Sequence, residues 1–196
     1  MPQFKSLQTQ SVQAVQACVR DGVYAPKQVG LNSPATKVMT DFHNIPPVTI
    51  QADAQIEQCH KAMIMAGVKS LIVADGKNQI LGLVTAYDVM GEKPMQMVQE
   101  RGVKFNELTV RDVMRPASEL QTISMSAVET AEVGHIIQTL QALAVHYLLV
   151  TEMDGAANVL RGLFSAAQIG RQLNMHVNVE SGAQTFAQIE AAVAAA

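Results

Sequence analysis

Three stretches of this chain return in the same order further along. Val48-Thr49-Ile50 is answered by Gln121-Thr122-Ile123, Val68 to Val73 by Val145 to Val150, and Gly82-Leu83-Val84-Thr85 by Gly162-Leu163-Phe164-Ser165. The offsets run 73, 77 and 80, so the second copy carries small insertions and keeps the order of elements. A repeat of this length decides the architecture before any single residue does, because it means two copies of one supersecondary unit fused in tandem.

Within each copy the periodicity changes in the same way. A short β-branched run, Val48 to Ile50, leads to Asp53 as an N-cap and then to apolar residues at helical spacing, Ile56, Cys59, Met63 and Ala66. In the second copy Ser126 stands three residues before Glu129, the pattern of a capping box, ahead of Val133, Ile136, Ile137, Leu140, Leu143 and Ala144. An apolar strand follows each helix (Leu71 to Ala74; Leu148 to Val150), then a turn holding Asp-Gly, then a second strand (Ile80 to Val84; Val159 to Phe164). The first turn, Asp75-Gly76, is expected to be the tight hairpin and the second, Asp154-Gly155, the looser one. A further helix opens at Thr85 and at Ser165. The unit reads β-α-β-β-α, about 60 residues, small for a core of its own.

The fold class expected is therefore α+β. A three-stranded sheet with two helices on one side leaves its other face bare, and two copies set sheet against sheet cover it. A short helical segment leads into each copy, Ala35 to Phe42 and Leu108 to Met114, the former with Ser33 at N-cap and Pro34 at N1. The expected division is an N-terminal segment 1–32 with a candidate helix over Ser11 to Arg20, a first repeat 33–106, a second repeat 107–176, and a tail 177–196. In the tail Phe186, Ile189 and Val193 share one face of a docked helix.

Composition narrows the function. With 48% hydrophobic against 16% charged residues and a mean hydropathy of +0.14, the chain is a folded globule. A net charge of −3, no basic run, five Phe, three Tyr and no Trp argue against nucleic acid. The longest apolar run, Ala62 to Val68, falls far short of the ~20 residues of a membrane helix. The first residues carry no apolar signal region, so a cytoplasmic location is expected. Cys18 and Cys59 have no CxxC spacing and read as reduced thiols. His43, His60, His135 and His176 do not fall at metal-ligand spacing, and no P-loop or nucleophile elbow occurs, so no catalytic residue, metal or cofactor is expected. Met63, Met65, Met90, Met95, Met97 and Met114 are expected to fill the core around the interface between copies.

One motif carries binding chemistry. Thr85 would sit at the mouth of a helix and Asp88 one turn inside on the same face, where a carboxylate can accept hydrogen bonds from the two vicinal hydroxyls of a ribose. Gly82 would let the backbone approach closely where the strand meets that site. The same four residues, Thr85 to Asp88, are equally a capping box that needs no ligand. The second copy has Ser165 and Gln168 here, which can still cap but lack the charged bidentate acceptor that suits ribose.

Taken together, the tandem β-α-β-β-α order, Val110-Arg111-Asp112-Val113-Met114 leading into the second copy, and Gly82 to Asp88 closing the first resemble a CBS domain pair, or Bateman module, over about Ser33 to Asn174. The resemblance implies a non-enzymatic regulatory unit that binds an adenosine-containing ligand between its copies. AMP, ADP, ATP, S-adenosylmethionine and nicotinamide dinucleotides are the ligands implied. It also implies a homodimer that passes its state to a separate protein partner. A basic residue at the start of the second strand would reach the phosphate held by the other copy's motif: His146 for the Asp88 site, Lys69 for the weaker site at Ser165 and Gln168. Adenine would lie against Val48, Thr49 and Ile50, with Ala66 and Val68 nearby. The competing reading is a structural or dimerisation module with a vestigial cleft, kept open by Gln168 and by the absence of Arg from the phosphate positions.

Overall fold

The computed structural model describes residues 29–179 and has two four-stranded sheets laid face to face between helical layers. In chain order the elements are β1 (Thr40–Asp41), β2 (Thr49–Ile50), α1 (Ile56–Ala66), β3 (Ser70–Ala74), β4 (Ile80–Thr85), α2 (Ala86–Met90), α3 (Glu92–Arg101), α4 (Val110–Val113) and β5 (Arg115–Pro116). They continue with β6 (Thr122–Ser124), α5 (Met125–Thr130), α6 (Val133–Ala142), β7 (Tyr147–Asp154), β8 (Ala157–Ser165) and α7 (Ala166–Leu173).

The sequence offsets reappear as strand register. Thr49 pairs with Ile72 and Thr122 with Leu149; Leu71 pairs with Val84 and Leu148 with Phe164. Even the irregularities correspond, since the register shifts after Val73 in one copy and after Val150 in the other. The central strands are apolar on both faces because each face is covered. Leu71, Val73 and Val84 point into the first helical core, and Leu148, Val150 and Phe164 into the second. Between them, Ile72, Leu83, Leu149 and Leu163 meet from the two sheets and form a third core. The expected sheet-to-sheet pairing is what joins the copies.

Sheet order shows how the lead-in segments are used. The two sheets run β1-β8-β7-β6 and β2-β3-β4-β5. Each lead-in thus crosses to the other repeat. Leu31, Ala35, Val38 and Met39 are buried in the second repeat's core, whereas Val110, Val113 and Met114 are buried in the first's. Backbone bonds fix both crossings: Ala35 N–H to Ala131 O and Val133 N–H to Ser33 O on one side, Ile56 N–H to Leu108 O and Val110 N–H to Ala54 O on the other. The division at 33–106 and 107–176 keeps each lead-in with the copy it precedes in sequence, whereas each packs against the other copy. Val177 and Val179, expected in the tail, are also buried in the second core, so that core extends past 176. The candidate helices over 11–20 and 181–196 lie outside the described residues.

Local expectations fail where tertiary bonds take over. Helix α1 starts at Ile56 with Gln55 at its N-cap, because the preceding turn bonds to the crossing lead-in and displaces Asp53. In the second copy Ser124, not Ser126, caps α5, and the helix breaks at Ala131 and Glu132 where residues 33–35 bond to it. The segment after Pro34 makes a 3-10 turn, Ala35–Lys37, and then strand β1, in place of a helix. The hairpins are reversed as well. Asp154 pairs with Ala157 around a two-residue turn with Gly155 at φ 59°, while residues 75–79 form a longer loop held by Asp75 Oδ1, which accepts from Lys77 and Gln79 N–H. Among the methionines, Met63 and Met114 are core residues; Met65, Met90 and Met95 are exposed.

Candidate functional site

Strand β4 delivers Thr85 to the start of α2, and the capping box there is fully made. Asp88 N–H donates to Thr85 Oγ1 (3.2 Å), while Thr85 N–H and Oγ1–H both donate to Asp88 Oδ2 (2.8 and 2.6 Å). Both bonds to the carboxylate end on Oδ2. Oδ1 takes no hydrogen bond from the described residues and belongs to a half-buried side chain at a cleft of about 520 Å³.

The same box occurs at Thr109 and Asp112, with Thr109 N–H and Oγ1–H on Asp112 Oδ2 at 2.9 and 2.7 Å. There, Oδ1 accepts from Arg101 at 2.6 Å. The two boxes separate capping from availability: both carboxylates cap, and only the Asp88 carboxylate leaves an oxygen for something else.

The Asp88 cleft lies between the repeats. Thr85, Tyr87 and Asp88 come from the first, and Leu120, Gln121, Val145, His146 and Tyr147 from the second, with Arg115 at the rim on β5. A second cleft, of about 350 Å³, is its pseudo-twofold counterpart. Ser165, Ala167 and Gln168 stand there for Thr85, Tyr87 and Asp88, while Pro47, Val48, Val68, Lys69 and Ser70 stand for the residues from Leu120 to Tyr147. A wider hollow of about 910 Å³, between α7 and residues 174–179, borders His146, Ala166 and Ala167 but is not lined by Thr85, Asp88, Ser165 or Gln168.

This arrangement sorts the expected site residues. Thr85, Asp88 and His146 line one cleft and Lys69 and Gln168 the other, while Ser165 borders both. Val48, Ala66 and Val68, grouped with Asp88 on the sequence, lie instead in the Lys69 cleft. The reason is the crossing: each motif faces the other copy's first strand and helix end, so Asp88 meets Gln121 and Val145 where Val48 and Val68 had been placed. Thr49 and Ile50 line neither cleft. Gly82 is needed for a different close approach, since a Cβ there would stand 2.4 Å from Arg115 O on the neighbouring strand. Ser165 makes no side-chain cap, and Gln168 Oε1, which in a capping box would accept from the Ser165 N–H, accepts from Thr40 Oγ1 at 3.2 Å instead.

Two arginines were missed. Arg115 lines the Asp88 cleft and Arg171 the Gln168 cleft, so each cleft carries an Arg although the positions of Lys69 and His146 do not. Arg171 lies three residues after Gln168 on the same helix, a spacing that could have signalled it. Arg115 directly follows the Val110 to Met114 run, but only the crossing of that segment brings it to Asp88.

The electrostatics connect these groups. Tyr147 lines both clefts, and burial pushes its phenol above the ordinary value, helped by the Asp88 carboxylate and opposed by Arg171 and Arg115. Cys59, fully buried on α1, is raised to about 11 by burial and by the Asp88 charge, which keeps it a protonated thiol. Among the described residues no helix is long and apolar enough to cross a membrane.

Residues 35–94 match the family model of the CBS domain. A curated relative, an uncharacterized protein of Methanopyrus kandleri, is 27% identical over 90 residues, a stretch that covers 45% of this chain and 45% of that one. Among solved structures the fold is similar to CBSX2 from Arabidopsis thaliana in complex with AMP, at 18% identity and TM-score 0.50 over 71% of this chain and 94% of that one. It is similar also to an uncharacterized conserved protein from Pyrococcus horikoshii, at 14% and 0.51 over 73% and 93%. A third likeness is to the CBS domain of a bacterial CNNM/CorC family Mg2+ transporter, at 16% and 0.51 over 79% and 80%. At these identities the structural likeness is one of fold. The matched sequence and the two interlocked sheets lead to one conclusion: residues 35–94 match the CBS domain, and the chain has the fold of CBS-pair proteins.

Proposed function

We propose that this CBS pair is a regulatory module that binds an adenosine-containing ligand, of the AMP, ADP or ATP kind, in the Asp88 cleft, without chemical conversion. The observation that carries the reading is the Asp88 carboxylate, which caps α2 with Oδ2 and keeps Oδ1 for a ligand. In this reading the ribose hydroxyls donate to Asp88, and the phosphate meets Arg115 and the imidazole of His146. Adenine lies along Leu120, Gln121 and Val145. Charged donors and acceptors at both ends make these bonds roughly twice as strong as neutral ones. The AMP bound by CBSX2 supports AMP as the first ligand to test.

Because the two walls of the cleft belong to different repeats, a ligand favours whichever packing of the repeats it binds more tightly, and only that difference in affinity drives a response. The response goes to a separate protein partner, with the module acting as a homodimer. Ile64, Met65, Tyr87, Met90 and Met95, all exposed on the first repeat's helices, support a dimer interface there.

A melting-temperature screen of the full chain against AMP, ADP, ATP, S-adenosylmethionine and NAD tests this. A ligand at 100 times its Kd stabilises by about 2.7 kcal/mol. If none of the five at millimolar concentration raises the melting temperature, the sensor reading fails and the structural or dimerisation module replaces it. The Thr109–Asp112 box, which caps a helix and serves no cleft, is the observation that favours this second reading.

A further inference from the structure

The two clefts share a pseudo-twofold plan, so every chemical difference between them can be read position by position. Asp88 is replaced by Gln168, whose amide oxygen is already taken by Thr40. Arg115, which pairs across β4 with Leu83, has Thr40 as its counterpart, paired with Leu163. The loop that crosses between the sheets changes most. Glu119-Leu120-Gln121 walls the Asp88 cleft, and its counterpart in the other cleft is Pro46-Pro47-Val48. Two polar side chains in three become none, and two prolines limit the backbone freedom of that wall.

The charge changes as well. The Asp88 cleft holds two carboxylates, Asp88 and Glu119, with Arg115 and His146. The second cleft holds Lys69 and Arg171 and no carboxylate. Neither cation has an ion-pair partner among the described residues, although Lys61, Arg101 and Arg161 all do. Arg171 has no equivalent in the first copy, where Gly91 stands in its place.

We infer that the Lys69–Arg171 cleft is a separate site for an organic anion with a compact apolar body and no vicinal diol, such as a medium-chain carboxylate. The apolar body lies on Phe42, Val48 and Val68, and the anionic head takes the two cations. Such a site combines a mostly apolar lining with a few convergent polar groups, the common make-up of small-molecule sites. A nucleotide would find no carboxylate for its ribose there. The inference does not rest on the adenosine reading, because the two sites share no charged residue.

Titration calorimetry of the full chain with sodium octanoate tests it. One saturable site is expected, weakened at least tenfold in Lys69→Gln and in Arg171→Gln. Both side chains are exposed, so neither change should disturb folding. Lys77→Gln, which removes a cation from the loop between β3 and β4, is expected to change the affinity by less than twofold, and octan-1-ol is expected to bind at least tenfold more weakly than octanoate. Absence of octanoate binding at 10 mM overturns the inference, as does octanol binding equally well or equal weakening by all three substitutions. Displacement of octanoate by AMP would show instead that the cleft takes nucleotides. If AMP binds nowhere on the protein, the octanoate titrations still decide, and the adenosine reading alone fails.

Discussion

Thr40 Oγ1 donates to Gln168 Oε1 across 3.2 Å, joining side chains 128 positions apart. The bond occupies the oxygen that stands where Asp88 offers a carboxylate in the other cleft, so the two motif positions are not equivalent as acceptors. Asp88→Ala is expected to lower AMP affinity about 10- to 100-fold, the worth of about 1.5–3 kcal/mol for hydrogen bonds to a charged group. Gln168→Ala should leave it within twofold. Asp112→Ala serves as the control for capping: like Asp88→Ala it removes a capping carboxylate, at about 0.5–2 kcal/mol of stability, but AMP should still bind. Calorimetry and denaturant melts of the three variants check this, and equal losses of affinity would sink the asymmetry.

Gly82 and Gly162 hold the crossing strands against the sheets. An added Cβ would stand 2.4 Å from Arg115 O in one and 2.7 Å from Thr40 O in the other, both backbone atoms. Gly82→Ala and Gly162→Ala should each destabilise by about 1–3 kcal/mol, the usual range for overpacking. Gly102→Ala meets nothing within 4 Å and faces only the strain of its φ of 65°, about 1 kcal/mol. Urea midpoints will rank them, and a mild Gly82→Ala would show that β5 yields easily.

Acid should weaken the chain through both crossings. Burial raises the Asp41 carboxyl, but the His43 N–H and Arg161 outweigh it; burial raises Asp112, but Thr109 and Arg101 outweigh it. Both end below the ordinary 3.8. A depressed pKa contributes stability that is fully present above the unfolded value and is lost as pH falls through the folded one. Unfolding free energy should therefore drop as pH is lowered beneath 3.8, and Asp112→Asn should shallow that drop. An unchanged slope in Asp112→Asn would place the acid sensitivity elsewhere.

The Cys59 thiol, raised to about 11 and fully buried, should resist a thiol reagent at pH 8 while the chain is folded. In a Cys18→Ser variant no labelling is expected until denaturant is added, and then one equivalent. Rapid labelling of the native variant would mean that α1 opens locally.

What the sequence made legible was whatever depends on neighbours in the chain. The offsets between copies became strand registers, and the Thr85–Asp88 box formed as a box because all its partners lie within four residues. Where the pattern misled, a distant segment had intervened. Asp53 is a sound N-cap in isolation, yet Ala52 and Ala54 on either side of it accept from the lead-in of the opposite repeat, while Ser126 yields to Ser124, which takes the Ala127 N–H. Val48 and Val68 follow the right helical and strand pattern, but the pseudo-twofold turns them toward Gln168 instead of Asp88. Arg115 was invisible for the same reason, since nothing near it in the chain reveals which sheet its strand will join.

The exchanged lead-ins also set an order of assembly. By residue 116 the chain holds every element of the sheet β2-β3-β4-β5, so that half can close while synthesis continues. The other sheet pairs β1 with β8, two strands at opposite ends of the described chain, and must wait for the last of it. Closing that long loop is the slow, entropically costly step. The first-made strand is therefore among the last to find its place, and until then the apolar residues Val38 and Met39 beside it remain unclaimed.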